Sequence, residues 1–98
     1  MFDEGNDMEK NIIYIAGPET PCTRCKKTRE LVEKAVHNLN LSNSTEVQHI
    51  NLISRMTLEK YGSLRSPAVI VNDIVISEGE LPKEEHIVKS IKQVLKIV

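Results

Sequence analysis

Asn11-Ile12-Ile13-Tyr14-Ile15-Ala16-Gly17-Pro18-Glu19-Thr20-Pro21-Cys22-Thr23-Arg24-Cys25 is the stretch from which the architecture is best read. From Asn11 to Gly17 it is a short, nearly continuous, β-branched apolar run stopped by Gly17-Pro18, the pattern of a strand buried on both faces. From Thr23 to Leu39 the period changes. Leu31, Val32, Ala35, Val36 and Leu39 recur at helical spacing, while Arg24, Lys26, Lys27, Glu30, Glu33 and Lys34 fill the opposite face, so an amphipathic helix is predicted with Pro21-Cys22 at its entrance.

The chain holds two cysteines, and both lie in this stretch, three positions apart. A Cys-x-x-Cys whose first cysteine stands at a helix N-terminus has a definite physical use. The unpaired backbone N–H groups and the positive end of the helix dipole stabilise a thiolate there. Arg24, Lys26 and Lys27 add positive charge, so the Cys22 thiol is expected below the free value of about 8.5, with Glu19 opposing the shift. Cys25, one turn on and nearer the apolar face of Leu31 and Val32, is placed to attack a mixed disulfide on Cys22. Two inert buried cysteines are the plain alternative. Strand, Pro-Cys helix start and two-residue spacing together favour the reactive pair.

Beyond the first helix, residues 38–45 are rich in Asn and Ser and read as loop, and a second strand is expected over Glu46–Ile53. Ser54 can cap a short helix from about Arg55 to Tyr61, with Gly62 as its stop. Ala68-Val69-Ile70-Val71 and Ile74-Val75-Ile76 are separated by Asn72-Asp73, residue types that tolerate positive φ and make a two-residue hairpin turn. Pro82 is expected in the first turn of a last helix whose stripe is Ile87, Ile91, Val94, Leu95 and Val98. The predicted order is β-α-β-α-β-β-α, without repeats.

Composition limits the function. Ninety-eight residues make one small domain, and 40% hydrophobic with 28% charged residues is ordinary for a globular chain. Thirteen basic against fourteen acidic residues give no electrostatic footprint for a phosphate backbone, and three aromatics give no stacking platform, so no nucleic-acid partner is expected. No apolar run is long enough for a membrane span. Residues 1–10, acidic and without a basic n-region or apolar h-region, do not read as a secretory signal; a flexible segment and a cytoplasmic setting are expected.

Strand, Cys22-Thr23-Arg24-Cys25, helix, and the later Lys60-Tyr61-Gly62-Ser63-Leu64-Arg65-Ser66-Pro67-Ala68 together resemble the thioredoxin-fold superfamily in its short form, over roughly Lys10 to Leu95. The likeness is strongest to small archaeal and bacterial thioredoxin-like, redox-active disulfide proteins. It implies an α/β thioredoxin-like fold over residues 11–98, with a central four-stranded mixed sheet flanked by helices. It also implies that Pro67 is the family's cis-proline and that the backbone of Ser66 pairs with an extended substrate segment. Pro21, Thr23 and Arg24 take the places that support the active site. The family's Trp before the first cysteine and its Gly-Pro between the pair are replaced here by Pro21 and Thr23-Arg24. The family's buried aspartate in the first strand is missing as well, since Ile12 to Ala16 holds no acid; Glu19 and His49 are the candidates for its proton-relay role. Glutaredoxins, the rival within the fold, bind glutathione through a Gly-Gly-x-x-Asp-like segment. Ser77-Glu78-Gly79-Glu80 has one Gly and two acids that repel carboxylates, with Arg65 a partial offset.

The leading expectation is an enzyme, a thiol-disulfide oxidoreductase reducing protein disulfides through catalytic Cys22 and Cys25, with a redox-active disulfide and a part in electron transport and cell redox homeostasis. It needs no metal or other cofactor. Its partners are disulfide-containing proteins and a reductase or low-molecular-weight thiol as donor, and a monomer is expected. One alternative is a zinc or iron–sulfur module with two thiolates from each of two chains; His37, His49 and His86 do not stand at ligand spacing. The other is a redox-sensing binding domain, which differs in oxidising stoichiometrically rather than turning over.

Overall fold

The computed structural model describes residues 10–18, 20 and 23–96. β1 (Asn11–Gly17) is the strand expected, and α1 (Thr23–Asn38) follows it. A single 3₁₀ turn over Ser42–Ser44 leads into β2 (Thr45–Asn51), then come α2 (Arg55–Tyr61), β3 (Ala68–Val71), β4 (Ile74–Glu78) and α3 (Glu84–Leu95). The sheet order is β2-β1-β3-β4, with β2 parallel to β1, and β3 and β4 antiparallel. It is the four-stranded mixed sheet flanked by three helices that the resemblance implies. No helix among the described residues is long and apolar enough to cross a membrane.

Strand periodicity divides the core in two. Ile13 and Ile15 of β1 and Val69 and Val71 of β3 face one way and pack on Val32, Ala35 and Val36 of α1 and on Ile87 and Ile91 of α3. Ala16, Ala68 and Ile70 face the other way, beneath Tyr14, Ile50, Leu52, Tyr61 and Leu64 on the side of α2. Each fully buried Ile or Val contributes about 1.5–3 kcal/mol of transfer free energy, so the first face carries most of the stability.

Where the elements end is set by local chemistry. α1 closes in a Schellman motif: Asn40 takes φ 60°, its N–H donates to His37 O at 3.0 Å, and Leu41 N–H donates to Val36 O at 2.9 Å. β2 stops at Asn51 rather than at Ile53, because the Asn51 side chain accepts from Ile53 N–H at 3.0 Å and its carbonyl accepts from Ser54 N–H at 3.2 Å. That turn leaves Ile53 exposed. Ser54 caps α2 by accepting from Thr57 N–H at 3.2 Å, and Gly62, at φ 77°, stops it. Asn72 and Asp73 have φ 46° and 72°, the positive pair a two-residue type I′ turn requires.

Two further expectations are corrected. Pro82 does not occupy the first turn of α3: the helix starts at Glu84 with Lys83 as N-cap, and Pro82 is buried just before it. The second hairpin strand is longer than the run Ile74-Val75-Ile76 and runs on to Glu78, because a bulge at Ile76 shifts the pairing between Val69/Ser77 and Ile70/Val75. The bulged Ile76 is half-buried against the larger core. The expected flexible segment lies, but for Lys10, outside the described residues, as do the Val98 end of the α3 stripe and Glu19, Pro21 and Cys22.

Candidate functional site

Cys25 is the first member of the buried stripe of α1, which continues through Thr28, Val32, Ala35 and Val36. At 2% exposure its thiol belongs to the core and not to the helix surface, while its neighbours Thr23 and Arg24 are exposed. Thr28 is polar yet fully buried, and its hydroxyl is satisfied by donating to Arg24 O at 2.7 Å. The first turn of α1 carries no acidic residue, and Arg24, Lys26 and Lys27 all face solvent.

Sheet register then delivers the surroundings of the thiol. Ala16 pairs with Ala68, so the residues just before β3 run alongside the end of β1. The Ser66–Pro67 peptide bond in that approach is cis, and Pro67 is fully buried. Ser66 Oγ lies 3.6 Å from Cys25 Sγ, where either atom can donate. On the other side of β1, Ile15 pairs with His49, which puts the imidazole on the same face of the sheet as α1. His49 Nε2 is buried and has no hydrogen-bond partner among the described residues.

Gly17 stands at the centre of this group. A Cβ on it would collide with Cys25 Sγ, and would lie 3.4 Å from Ser66 Oγ and 3.7 Å from His49 Nε2. Sequence reasoning treats Gly17 only as the end of a strand. In the structure its missing side chain is the space into which the thiol fits. The available signal is that Gly17 falls on the inward parity of β1, with Ile13 and Ile15, where a strand otherwise carries a large apolar residue.

The structure thus brings together Cys25, Ser66, Pro67 and His49 from the set expected of the sequence; Thr23 and Arg24 are close in chain but turned outward, and Glu19, Pro21 and Cys22 lie outside the described residues. Among the described residues no group of three or more His, Cys, Asp or Glu gathers as a metal site. At the far side of the cis-proline loop, Glu78 accepts from Arg65 N–H at 2.8 Å, and Gly79 N–H donates to Arg65 O and Pro67 O, each at 3.1 Å. The Gly79 amide in the segment compared with the glutathione site is therefore spent within the protein, and the Arg65 stem packs against Gly79.

A further ionisable group ties α2 to the hairpin. Tyr61 donates to Asp73 at 2.6 Å, and Lys60 pairs with the same carboxylate at 3.1 Å. Burial, reinforced by the bond to Asp73 and its charge, holds the Tyr61 phenol well above the usual range; the Tyr61 and Lys60 bonds hold Asp73 below the usual carboxylate range.

Comparison with known proteins gives the same reading at the level of family. The family model for the thioredoxin domain matches residues 8–92. A thioredoxin from Methanocaldococcus jannaschii is 31% identical over 85 residues, which cover 86% of this chain and 90% of that protein. Among solved structures, a Staphylococcus aureus protein of unknown function has a TM-score of 0.64 at 15% identity, covering 95% of this chain and 98% of that one. The oxidised thioredoxin of Plasmodium falciparum has a TM-score of 0.58 at 14% identity, covering 95% and 88%. These two likenesses speak for the fold, and the sequence matches speak for the descent. The chain belongs to the thioredoxin family, and with it to the thiol-disulfide oxidoreductases.

Proposed function

We propose that the chain reduces protein disulfides through a Cys22–Cys25 dithiol. Cys22 attacks a partner disulfide and becomes covalently linked to one sulfur; Cys25 then attacks Cys22, releases the partner in its reduced form and closes the Cys22–Cys25 disulfide. The observation that carries the reading is the burial of Cys25 beside Ser66, with Gly17 leaving room for its sulfur. A thiol so enclosed meets an intramolecular partner three positions away in the chain more readily than a protein disulfide in solution, which suits the resolving role. The exposed first turn of α1, rich in cations, suits the attacking role for Cys22. Ser66, half-buried beside the thiol, is the backbone position offered to an extended substrate segment. The internal use of the Gly79 amide and the acids Glu78 and Glu80 favour a protein disulfide over glutathione as substrate.

The test is covalent trapping together with a redox titration. Cys25→Ser is expected to accumulate mixed disulfides with partners and Cys22→Ser to accumulate none; equal behaviour of the two variants contradicts the roles. In thiol buffers the pair is expected to close reversibly with two electrons. A midpoint near roughly −270 mV supports a reductase, and one near about −120 mV an oxidant. Multiple turnovers with excess dithiol separate an enzyme from a stoichiometric sensor. Metal in anaerobically purified protein, with a dimer, would favour the metal module instead.

A further inference from the structure

We propose that His49 is the base that takes the proton of the Cys25 thiol during the resolving step, an assignment that rests on the dithiol reading above. A thiol attacks as the thiolate, so a cysteine buried to 2% exposure must pass its proton to a neighbour before it reacts. The Ser66 hydroxyl at 3.6 Å is no base near neutral pH, and β1, from Asn11 to Gly17, offers no acid or base on this face. His49 offers a ring nitrogen that is buried yet has no hydrogen-bond partner among the described residues, a rare condition that calls for a cause.

Gly17 supplies the geometry. The position its Cβ would take lies 3.7 Å from His49 Nε2 and closer still to Cys25 Sγ, so sulfur and imidazole both border the space that Gly17 leaves empty. The bare strand end leaves both groups lining one small space with no side chain from residue 17 in it. With the ring proton on Nδ1, Nε2 presents a lone pair that can receive the thiol proton.

The step balances as follows. The Cys25 S–H proton goes to His49 Nε2, and the Cys25 thiolate bonds to Cys22 Sγ. The bond between Cys22 Sγ and the partner sulfur breaks, and that sulfur leaves as a thiolate, which takes up a proton from the imidazolium or from water. Two electrons pass from the dithiol to the partner. Of the other described charged groups near His49, Arg29 on α1 is held by Glu33 at 3.1 Å and by Val47 O at 3.0 Å, two residues before His49 on β2. From β1 the neighbours on this face are Ile15 and Gly17, and from the loop before β3 it is Ser66, none of them charged.

The experiment is a single-turnover reaction of the reduced protein with an excess of a disulfide-linked peptide, acid-quenched and alkylated. The mixed-disulfide and closed forms are counted by mass from about pH 5.5 to about pH 9, which brackets imidazole and thiol titration. In His49→Gln, closure is expected to slow by about a hundredfold near neutral pH, with the mixed disulfide accumulating, the first attack unchanged and the deficit shrinking as pH rises. In His49→Ala, added imidazole is expected to restore closure, a readout a merely structural role would not move. Closure of His49→Gln at the parent rate throughout, or an equal loss in both steps at every pH, overturns the assignment. Failure of Cys25→Ser to trap the peptide overturns the dithiol reading itself, and the assignment with it.

Discussion

Replacing Gly17 by alanine drives a methyl group into collision with Cys25 Sγ. Gly17 is in β1 and outside the positive-φ region, so alanine meets no backbone penalty there. On entropy alone the change would stabilise by about 0.4–1 kcal/mol through the unfolded chain. Opposing this, the overlap is with a short side chain at 2% exposure, whose sulfur is also hemmed in by Ser66 Oγ. Overpacking of that kind costs about 1–3 kcal/mol, so the clash wins and a net loss of about 1–2 kcal/mol is expected. For a domain of this size that lowers Tm by roughly 4–8 °C per kcal/mol. The assay is urea unfolding in excess dithiol of the parent, Gly17→Ala, Cys25→Ala and the double variant, with Cm compared at constant m. Removing the sulfur should cancel most of the cost, giving a coupling of at least about 1 kcal/mol between the two positions. A Gly17→Ala protein as stable as the parent, or additive effects in the double variant, would refute the claim that residue 17 is bare to accommodate the thiol.

Asn72→Ala is expected to cost about 2 kcal/mol in chemical unfolding, because it loses the bonds to Ile12 N–H at 2.9 Å and Asn11 Oδ1 at 3.1 Å and meets a positive φ. Asn72→Gly, which removes only the bonds, should fall between parent and alanine. Ser54→Ala should cost about 1 kcal/mol by uncapping α2, with faster amide exchange confined to residues 55–61. For Tyr61 the folded protein prefers the neutral phenol, so its contribution is complete below the unfolded value of about 10 and declines as pH rises above it; Tyr61→Phe should flatten that alkaline limb of the stability curve. Asp73, held low, works in the opposite direction: its contribution is present above the ordinary carboxylate value of about 3.9 and is lost as the solution is acidified.

Periodicity and turn chemistry are local properties, and the features that depend on them are legible in the residues. β1, the amphipathic α1, the Ser54 cap, the Gly62 stop and the Asn72-Asp73 turn are all of this kind. What is not legible depends on partners distant in the chain. Nothing near Asn72 indicates that its side chain will fasten the hairpin to β1, or that Asp73 will receive Tyr61 and Lys60. Thr28 reads as polar surface until the stripe from Cys25 to Val32 is extended through it. Ile76 reads in sequence as the last residue of a continuous apolar run, and only pairing with β3 reveals it as the extra residue. At the site, a Cys-x-x-Cys is visible as a motif, whereas the juxtaposition of Cys25 with Ser66 and His49 follows from sheet register and from the emptiness of Gly17.

The surroundings of Cys25 arrive in instalments as the chain is made. Gly17 is already synthesised when the cysteine appears, but His49 follows only with β2, and Ser66 comes 41 residues after Cys25. A ribosome that has released only β1 and α1 therefore presents a bare cysteine motif, with neither imidazole nor hydroxyl beside the second sulfur. The setting of Cys25 is complete only when β3 docks beside β1, so its chemistry belongs to the whole sheet and not to the cysteine motif alone.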